Sequence, residues 1–279
     1  MHRRRSPALW LLAASLGAAC ARSPARAPAP APVPLRVMTY NIQSGHGSLE
    51  GTAAAIGAVS PDIVALQEVD VHWADRSSFA DQASALAARL HMEARFARIY
   101  RISNTDAGKP PREFGVALLS KYPIVAWRND TITRLSTQDT SPAPAPAPGL
   151  LEASVDVHGT VVRVFNTHLD YRADPRVRRQ QVVEMLKYIG AAGAPTLVFG
   201  DLNATPEAPE LAPLLARLRD AWPASAGPGF TYPAETPSKR IDYVLTSGHF
   251  RVRSAEVVAT EASDHRPVVV ELVLAPKGI

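Results

Sequence analysis

The chain has 279 residues and a sequence pI of about 9.4, which would suit a nucleic-acid-binding protein. The charge distribution argues against that class, because five of the 30 Lys and Arg residues precede Leu35 whereas all 26 Asp and Glu residues follow it. The segment from Leu35 onward is therefore almost neutral and lacks the basic excess that duplex DNA binding normally requires. Since the only cysteine, Cys20, also precedes Leu35, burial and not disulfides must stabilise this segment.

Residues 1–20 predict an export signal, and residues 21–34 predict a tether. Three arginines, an apolar stretch over residues 8–16 and small residues before Cys20 are typical of a signal peptide. The apolar stretch is too short for a permanent membrane helix. The position of Cys20 suits a lipidated bacterial lipoprotein, although the alanines around it would also suit ordinary cleavage and free secretion. The Pro/Ala-rich tether predicts extended backbone, so we expect an exported protein that is either membrane-anchored or free in the periplasm or medium.

From Leu35, the remaining length fits one large α/β domain over residues 35–279. Its first half predicts strands that alternate with helices. The continuous apolar run at residues 63–66 is typical of a strand buried on both faces, and it would place Gln67 and Glu68 at its end. The predicted strands are residues 35–42, 63–66, 116–119 and 124–127, and the predicted helices are residues 52–59 and 79–90.

The second half begins with a low-complexity Pro-Ala segment, residues 141–149, which predicts an exposed loop between strands. Pro175 predicts the first helical position of the next helix, and Gly200 would allow a tight turn after a buried strand. The predicted strands are residues 150–157, 160–167, 196–199, 241–246, 250–259 and 267–274, and the predicted helices are residues 175–189 and 205–218. Because some strands follow one another directly, the sheets should be mixed and not purely parallel.

Five distant segments each end an apolar run on polar residues able to hold a metal ion or a phosphate. These residues are Asn41, Glu68, Asn166 with His168, Asp201 with Asn203, and Asp264 with His265. Strands that converge on one edge of a core would end in this way. We therefore expect the five ends to meet in one site.

Asn41, Glu68 and Asp264 could form the metal side of that site. Mg²⁺ prefers oxygen ligands and needs only one or two carboxylates, with water and substrate phosphate completing its shell. The sparse set favours Mg²⁺ or Mn²⁺ over zinc, which would need more His or Cys. Taken alone, Glu68 would be interpreted as a surface carboxylate after a strand.

Asp201 and Asn203 are two residues apart, so an extended backbone would direct both side chains the same way. The carboxylate could take a proton from a water molecule, and the amide could hold that water or a phosphate oxygen. A plain turn is the alternative for this Gly-Asp-Leu-Asn segment. By the same spacing, Asn166 and His168 could both contact substrate, with His168 as a hydrogen-bond donor to phosphate, unless His168 is a capping or core histidine.

Asp264 and His265 are adjacent and should point to opposite faces, so Asp264 could face the metal while His265 faces the phosphate. A second carboxylate could hold the imidazole in place. Asp242, in the segment RIDYVL, is the candidate for that orienting role.

The motifs NTHLD, GDLNATP, RIDYVL and SDHRPV, with TYNI and LQEV upstream in the same order, resemble the endonuclease/exonuclease/phosphatase superfamily. The histidine of NTHLD makes the resemblance closer to the deoxyribonuclease and neutral sphingomyelinase branch than to the abasic-site nucleases. The resemblance covers nearly all of residues 35–274. It implies an α/β four-layer sandwich, in which two mixed β-sheets pack face to face with helices outside, and Mg²⁺-dependent attack of water on phosphorus.

The resemblance also implies roles for individual residues, and it leaves open whether the base is Asp201 or His265. The implied catalytic residues are His168, Asp201, Asn203, Asp242 and His265, the substrate-binding residues are Asn166, His168 and Asn203, and the metal-side residues are Asn41, Glu68 and Asp264.

We therefore expect a divalent-metal-dependent phosphoesterase, using Mg²⁺ or Mn²⁺, that hydrolyses a lipid head group or another small phosphodiester by in-line attack of water. An extracellular Mg²⁺-dependent nuclease is the alternative within enzymes, so a nucleic-acid partner is considered but not favoured. A non-catalytic binding module of the same fold is the alternative outside enzymes. We expect a monomer that contacts the membrane only if Cys20 is lipidated.

Overall fold

The computed structural model describes residues 31–45, 48–191 and 193–275. The predicted export signal, including Cys20, and most of the predicted tether lie outside these residues. The first strand begins at Val33, two residues inside the predicted tether. No α-helix within the described ranges combines the length and the apolar composition needed to span a bilayer.

Twelve β-strands and four α-helices lie within the described residues. In chain order they are β1 (Val33–Asn41), α1 (Leu49–Val59), β2 (Ile63–Val71), α2 (Gln82–Leu90), β3 (Glu93–Ile102), β4 (Arg112–Ser120), β5 (Ile124–Arg134), β6 (Ala145–Val157), β7 (Thr160–His168), α3 (Arg176–Ile189), β8 (Thr196–Asp201), α4 (Ala212–Arg217), β9 (Arg219–Asp220), β10 (Asp242–Thr246), β11 (Phe250–Val257) and β12 (Val268–Leu274).

The strands form two six-stranded mixed sheets, which confirms the expected sheet type. The first sheet has the order β11-β12-β1-β2-β4-β3, and the second has the order β5-β6-β7-β8-β10-β9. β1 pairs in parallel with β2, and β7 pairs in parallel with β8, whereas the other neighbours are antiparallel. The carboxyl ends of β1, β7 and β8 therefore carry the predicted polar residues Asn41, His168 and Asp201.

The four layers follow from alternation along the central strands, because each of these strands is buried on both faces. In β1, Val37 packs in the core between the two sheets, whereas Met38 packs under α1 and α2. In β8, Phe199 packs between the sheets, whereas Val198 packs under α3 and α4. The expected four-layer α/β sandwich is thus confirmed.

The Pro-Ala segment is not entirely a loop, so that prediction is wrong for residues 145–149, which form the start of β6. Residues 145–148 pair with β5. In an antiparallel pair of strands, only every second residue of a strand directs its N–H group to the neighbouring strand. The alanines of an Ala-Pro repeat can therefore supply every N–H donor that the pairing needs, and the prolines need supply none. Thr133, which lies opposite Pro146, accordingly sends its N–H to Glu184 of α3 and not to β6.

The predicted helix over residues 205–218 is also wrong in extent, because only Ala212–Arg217 is α-helical. Prolines explain this shortening: Pro209 and Pro213 lack an N–H and would clash with the preceding turn in a helix interior, and Pro213 is compatible with the first turn only. At α3, Pro175 precedes the first helical residue and does not occupy it.

Gly200 does not form the predicted turn but lies within β8. A Cβ atom at this position would lie 2.4 Å from the carbonyl oxygen of Thr167 in β7. The glycine is therefore required by the close approach of β7 and β8 immediately before Asp201.

Candidate active site

Glu68 lies at a β-bulge in the middle of β2. The pairing of β2 with β4 is regular up to Leu66 and resumes at Val69, and Glu68 has a left-handed φ of 55°. The expectation that the strand ends at Gln67-Glu68 is therefore wrong, since β2 continues to Val71. A bulge re-aims a side chain by local backbone distortion, and here it places Glu68 on the wall of a cleft.

Asn166 holds this bulge from the opposite sheet. Its Nδ2 donates to the carbonyl oxygens of Leu66 and Ala117, both at 2.9 Å, and its Oδ1 accepts from Gln67 Nε2 at 2.7 Å. The two carbonyl groups lie where the β2–β4 ladder is interrupted. Asn166 is fully buried and does not line the cleft, so the structure gives it a supporting position in place of the predicted substrate contact.

The cleft lies where the carboxyl ends of β1, β7 and β8 meet the loop before β12, and its volume is about 350 Å³. Four of the five predicted segments contribute residues to its lining, and Asn41 of the fifth contacts two of those residues. The lining residues are Glu68, His168, Tyr171, Asp201, Asn203, Tyr232, Lys239, Ile241, Asp264 and His265. Asn41 and Asp242 do not line the cleft but contact residues that do.

The buried Asp201 carboxylate occupies the centre of the site. Its Oδ2 accepts from Asn41 Nδ2 at 3.1 Å and lies 3.5 Å from His168 Nε2 and 3.6 Å from His265 Nε2. Burial raises the pKa of Asp201, and the nearby Asp242 charge raises it further, whereas the two histidines lower it. A buried carboxylate with a raised pKa is suited to accept a proton.

His265 and Asp242 form the predicted hydrogen-bonded pair. The imidazole Nδ1 lies 2.9 Å from Asp242 Oδ2, and both side chains are buried. Burial alone would lower the pKa of His265, but the charge and hydrogen bond of Asp242, together with Asp201 and Asp264, raise it to about 10. The Tyr232 ring packs against the imidazole with 4.7 Å between ring centroids.

Asn203 lines the cleft as predicted, but the backbone geometry differs from the expectation. Asn203 has a left-handed φ of 49°, and its N–H donates to Asp201 Oδ1 at 2.9 Å. A turn, and not an extended backbone, therefore brings the two side chains to the same site. Asn203 Nδ2 donates to the carbonyl oxygen of Leu169 at 3.0 Å, which fixes the amide.

Glu68 and Asp264 place two carboxylates in the same cleft. The N–H of Asp264 donates to Gln43 Oε1 at 3.3 Å, which fixes the backbone of the loop. Burial raises the pKa of Asp264, His265 lowers it, and the like charge of Glu68 raises it. A hard divalent cation would fit this oxygen-lined site because it would offset the repulsion and retain water ligands in the open cleft.

The predicted metal-side residues differ in how available their oxygen atoms are to a metal ion. Asn41 turns its Nδ2 to Glu68 Oε1 at 3.1 Å, and its Oδ1 accepts from the Gln43 N–H, so a ligand role for Asn41 would require rotation of its amide. A second group, made of Asp201, Asp242 and His265, has one possible ligand atom from each residue within 4.8 Å and could also hold a metal. Because Asp242 is already engaged by His265 Nδ1, Glu68 and Asp264 form the more available pair.

Sequence reasoning missed several side chains that line the cleft, namely Tyr171, Tyr232, Lys239 and Ile241. Three of them had a signal, since Tyr171 directly follows NTHLD and Lys239 and Ile241 flank the start of RIDYVL. Tyr232 had no comparable signal.

Two further cavities adjoin the cleft. One, of about 190 Å³, shares Glu68, His168 and Tyr171 with the cleft, and the other, of about 330 Å³, shares Lys239.

The sequence model described as "Endonuclease/Exonuclease/phosphatase family" matches residues 38–265. The chain therefore belongs to the endonuclease/exonuclease/phosphatase family, whose members are hydrolases that act on phosphoesters. No curated protein sequence matches the chain.

Several solved structures share the fold. An endonuclease/exonuclease/phosphatase from Beutenbergia cavernae is 27% identical with a TM-score of 0.70, and the alignment covers 87% of this chain and 72% of that one. The human Nocturnin catalytic domain with bound sulfate is 24% identical with a TM-score of 0.63, over 87% of this chain and 94% of that one. A mannosyl-6-phosphatase from Bacteroides thetaiotaomicron is 18% identical with a TM-score of 0.62, and the alignment covers 86% of this chain and 100% of that one.

Proposed function

We propose that this protein is a divalent-metal-dependent phosphodiesterase. The observation that carries the proposal is the convergence of His168, Asp201 and the His265–Asp242 pair on one cleft that also holds two metal-side carboxylates. Glu68 and Asp264 would hold Mg²⁺ or Mn²⁺, which when bound would polarise the phosphoryl oxygens and stabilise the leaving oxygen.

The protein groups divide the proton chemistry between them. Asp242 holds His265 with Nδ1 protonated and stabilises the imidazolium, whose raised pKa favours the charged form at neutral pH. His265 Nε2 and His168 Nε2 would then donate hydrogen bonds to phosphoryl oxygens. Asp201, between them, would take the proton of the attacking water, which we infer from its burial and raised pKa.

The surroundings of the cleft support a diester with small substituents as substrate. Two separate cavities adjoin the cleft through different residues, which leaves room for a group on each ester oxygen. The near-neutral domain favours a lipid head group or another small phosphodiester over DNA. The sulfate in the Nocturnin structure and the phosphatase name of the Bacteroides relative support phosphate chemistry on this fold.

We also propose that the protein is a monomer. The composition of the leader and tether supports the further proposal that it is exported and anchored through a lipidated Cys20. Cell fractionation of wild-type protein and of Cys20→Ala tests the anchor. Release of the variant from the membrane fraction is expected, whereas an unchanged distribution would contradict lipidation.

Purified protein assayed with Mg²⁺, Mn²⁺ or EDTA on bis(p-nitrophenyl) phosphate, phosphatidylcholine, sphingomyelin and plasmid DNA tests the function. We expect metal-dependent hydrolysis of small diesters, lost in Asp201→Ala and His265→Ala without a change in the circular dichroism spectrum. DNA cleavage without action on lipids would establish the nuclease alternative. No hydrolysis of any diester, with both variants indistinguishable from wild type, would instead indicate a binding module.

A further inference from the structure

The cleft lining is acidic apart from its two histidines, His168 and His265, and one lysine. Its lining includes the carboxylates of Glu68, Asp201 and Asp264, and among the described residues that line it Lys239 is the one Lys or Arg. A bound phosphodiester adds a further negative charge to this acidic cleft. Cationic groups must therefore offset the charge on more than one of its phosphoryl oxygens.

The ammonium group of Lys239 is available for that role. Within residues 31–45, 48–191 and 193–275, Lys239 has no ion-pair partner, whereas the adjacent Arg240 is paired with Asp220 at 2.7 Å. Lys239 is exposed and lines both the catalytic cleft and the neighbouring cavity that contains Trp222 and Phe230. A lysine retained only for an ion pair would be expected to have a carboxylate partner.

The backbone under Lys239 is fixed, although its side chain is free. The carbonyl oxygen of Lys239 accepts from the N–H groups of Thr231 at 2.8 Å and Tyr232 at 3.0 Å, and its own N–H donates to the Tyr232 carbonyl oxygen at 2.9 Å. These bonds form a narrow two-stranded loop. The base of the lysine is therefore pre-positioned, and only the flexible stem must be ordered on binding.

The same loop is attached to the catalytic residues. The Tyr232 ring packs on the His265 imidazole, the N–H of Arg266 donates to the Thr231 carbonyl oxygen at 2.8 Å, and the N–H of Ala234 donates to the Asp264 carbonyl oxygen at 2.7 Å. The distance between Lys239 and the reacting phosphate is thus set by the contacts that also hold His265.

We propose that Lys239 is a substrate-binding residue that contacts the phosphodiester through a non-bridging oxygen, at the point where one ester substituent leaves the cleft toward the cavity lined by Trp222 and Phe230. This inference rests on the proposed function. It adds a cationic side chain of the protein to the substrate-binding groups, on the wall between the cleft and that cavity. Because the phosphate is charged in both the bound substrate and the transition state, Lys239 acts mainly on kcat/KM through KM.

The test compares Lys239→Gln, Lys239→Arg and Lys187→Gln with wild type. Lys187 is a matched control, since it is an exposed lysine of α3 with no ion pair among the described residues and no place in the cleft. Steady-state kinetics on bis(p-nitrophenyl) phosphate and inhibition by inorganic phosphate are measured at saturating metal. We expect Lys239→Gln to raise KM and the phosphate inhibition constant by roughly ten- to a hundred-fold, in parallel. Lys239→Arg should recover most of the loss, and Lys187→Gln should match wild type.

Equal kinetics of Lys239→Gln and Lys187→Gln would overturn the proposal, as would a lower kcat for Lys239→Gln with unchanged phosphate inhibition. If wild-type protein hydrolyses no diester, the proposed function fails, and calorimetric titration with inorganic phosphate and Mg²⁺ decides the role of Lys239 separately. Weaker phosphate binding by Lys239→Gln than by Lys187→Gln would then still support it, whereas equal binding would refute it.

Discussion

Replacing Asn166 by alanine perturbs a side chain that joins the Glu68 bulge to the opposite sheet. The substitution removes three buried hydrogen bonds and leaves the carbonyl oxygens of Leu66 and Ala117 without the Asn166 donor. An unsatisfied buried polar group costs about 1–3 kcal/mol. The two carbonyl groups together therefore predict a loss of about 2–6 kcal/mol in the free energy of unfolding, which corresponds to a fall on the order of 10 °C in Tm.

The bulge is also expected to lose its fixed geometry, which would move the Glu68 carboxylate relative to Asp264. Loss of a group that positions a metal ligand typically lowers metal affinity by about 10- to 100-fold. Urea unfolding measures the stability, and titration of the hydrolysis rate with Mg²⁺ measures the apparent metal affinity. At saturating Mg²⁺, the folded variant should recover most of its kcat.

Asn129→Ala is the matched control, since Asn129 is a partly exposed amide of β5 that also bonds two backbone groups, but these lie in β3 and β6 and not at the bulge. We expect this variant to bind Mg²⁺ like wild type. If Asn166→Ala kept both its stability and its Mg²⁺ affinity but lost activity, Asn166 would contact substrate directly and the support by hydrogen bonds would be refuted.

Three further substitutions have expected outcomes. Asp242→Asn removes the charge that raises the pKa of His265, so kcat should fall by about 10²- to 10⁴-fold in steady-state assays while the circular dichroism spectrum is retained; activity near wild type would refute the orienting role. Gly200→Ala forces a Cβ against the β7 backbone and should cost roughly 1–3 kcal/mol in urea unfolding, and an unchanged midpoint would show that the strands can separate freely. Arg178→Met leaves the buried Glu210 carboxylate without its guanidinium partner at 2.8 Å, which should lower the free energy of unfolding by about 3–5 kcal/mol in thermal unfolding. Unchanged stability would mean that water reaches Glu210.

The strands that could be predicted are those whose burial is encoded locally. Residues 63–66 and 196–199 are continuous apolar runs, and both lie in central strands buried on two faces. β3 was not predicted, because it is an edge strand whose sequence EARFARIYRI carries charged residues among its apolar ones. The predicted helix around α4 is too long because apolar periodicity alone does not show that a proline ends or delays a helix.

The residues of the site were predictable from strand ends and motifs, but their support was not. The bulge that directs Glu68 depends on Asn166, which is 98 residues away in the chain and on the other sheet. Such a contact leaves no periodic pattern near Glu68. Tyr232 was missed for a related reason, since it lies on a loop whose place beside His265 is set by tertiary contacts.

The Pro-Ala start of β6 has a consequence for how this protein behaves at high concentration. Residues 145–148 pair with β5 on one edge, and β7 pairs with β6 only from Leu151 onward, so the second edge of this stretch is not covered by β7. If the alanines donate to β5, Pro146 and Pro148 occupy the positions whose N–H groups would otherwise face that uncovered edge. An approaching strand from another molecule would find no N–H donors at these prolines, and the carbonyl oxygen of Pro148 already accepts from Arg134. The repeat therefore acts as a built-in barrier to intermolecular β-sheet growth.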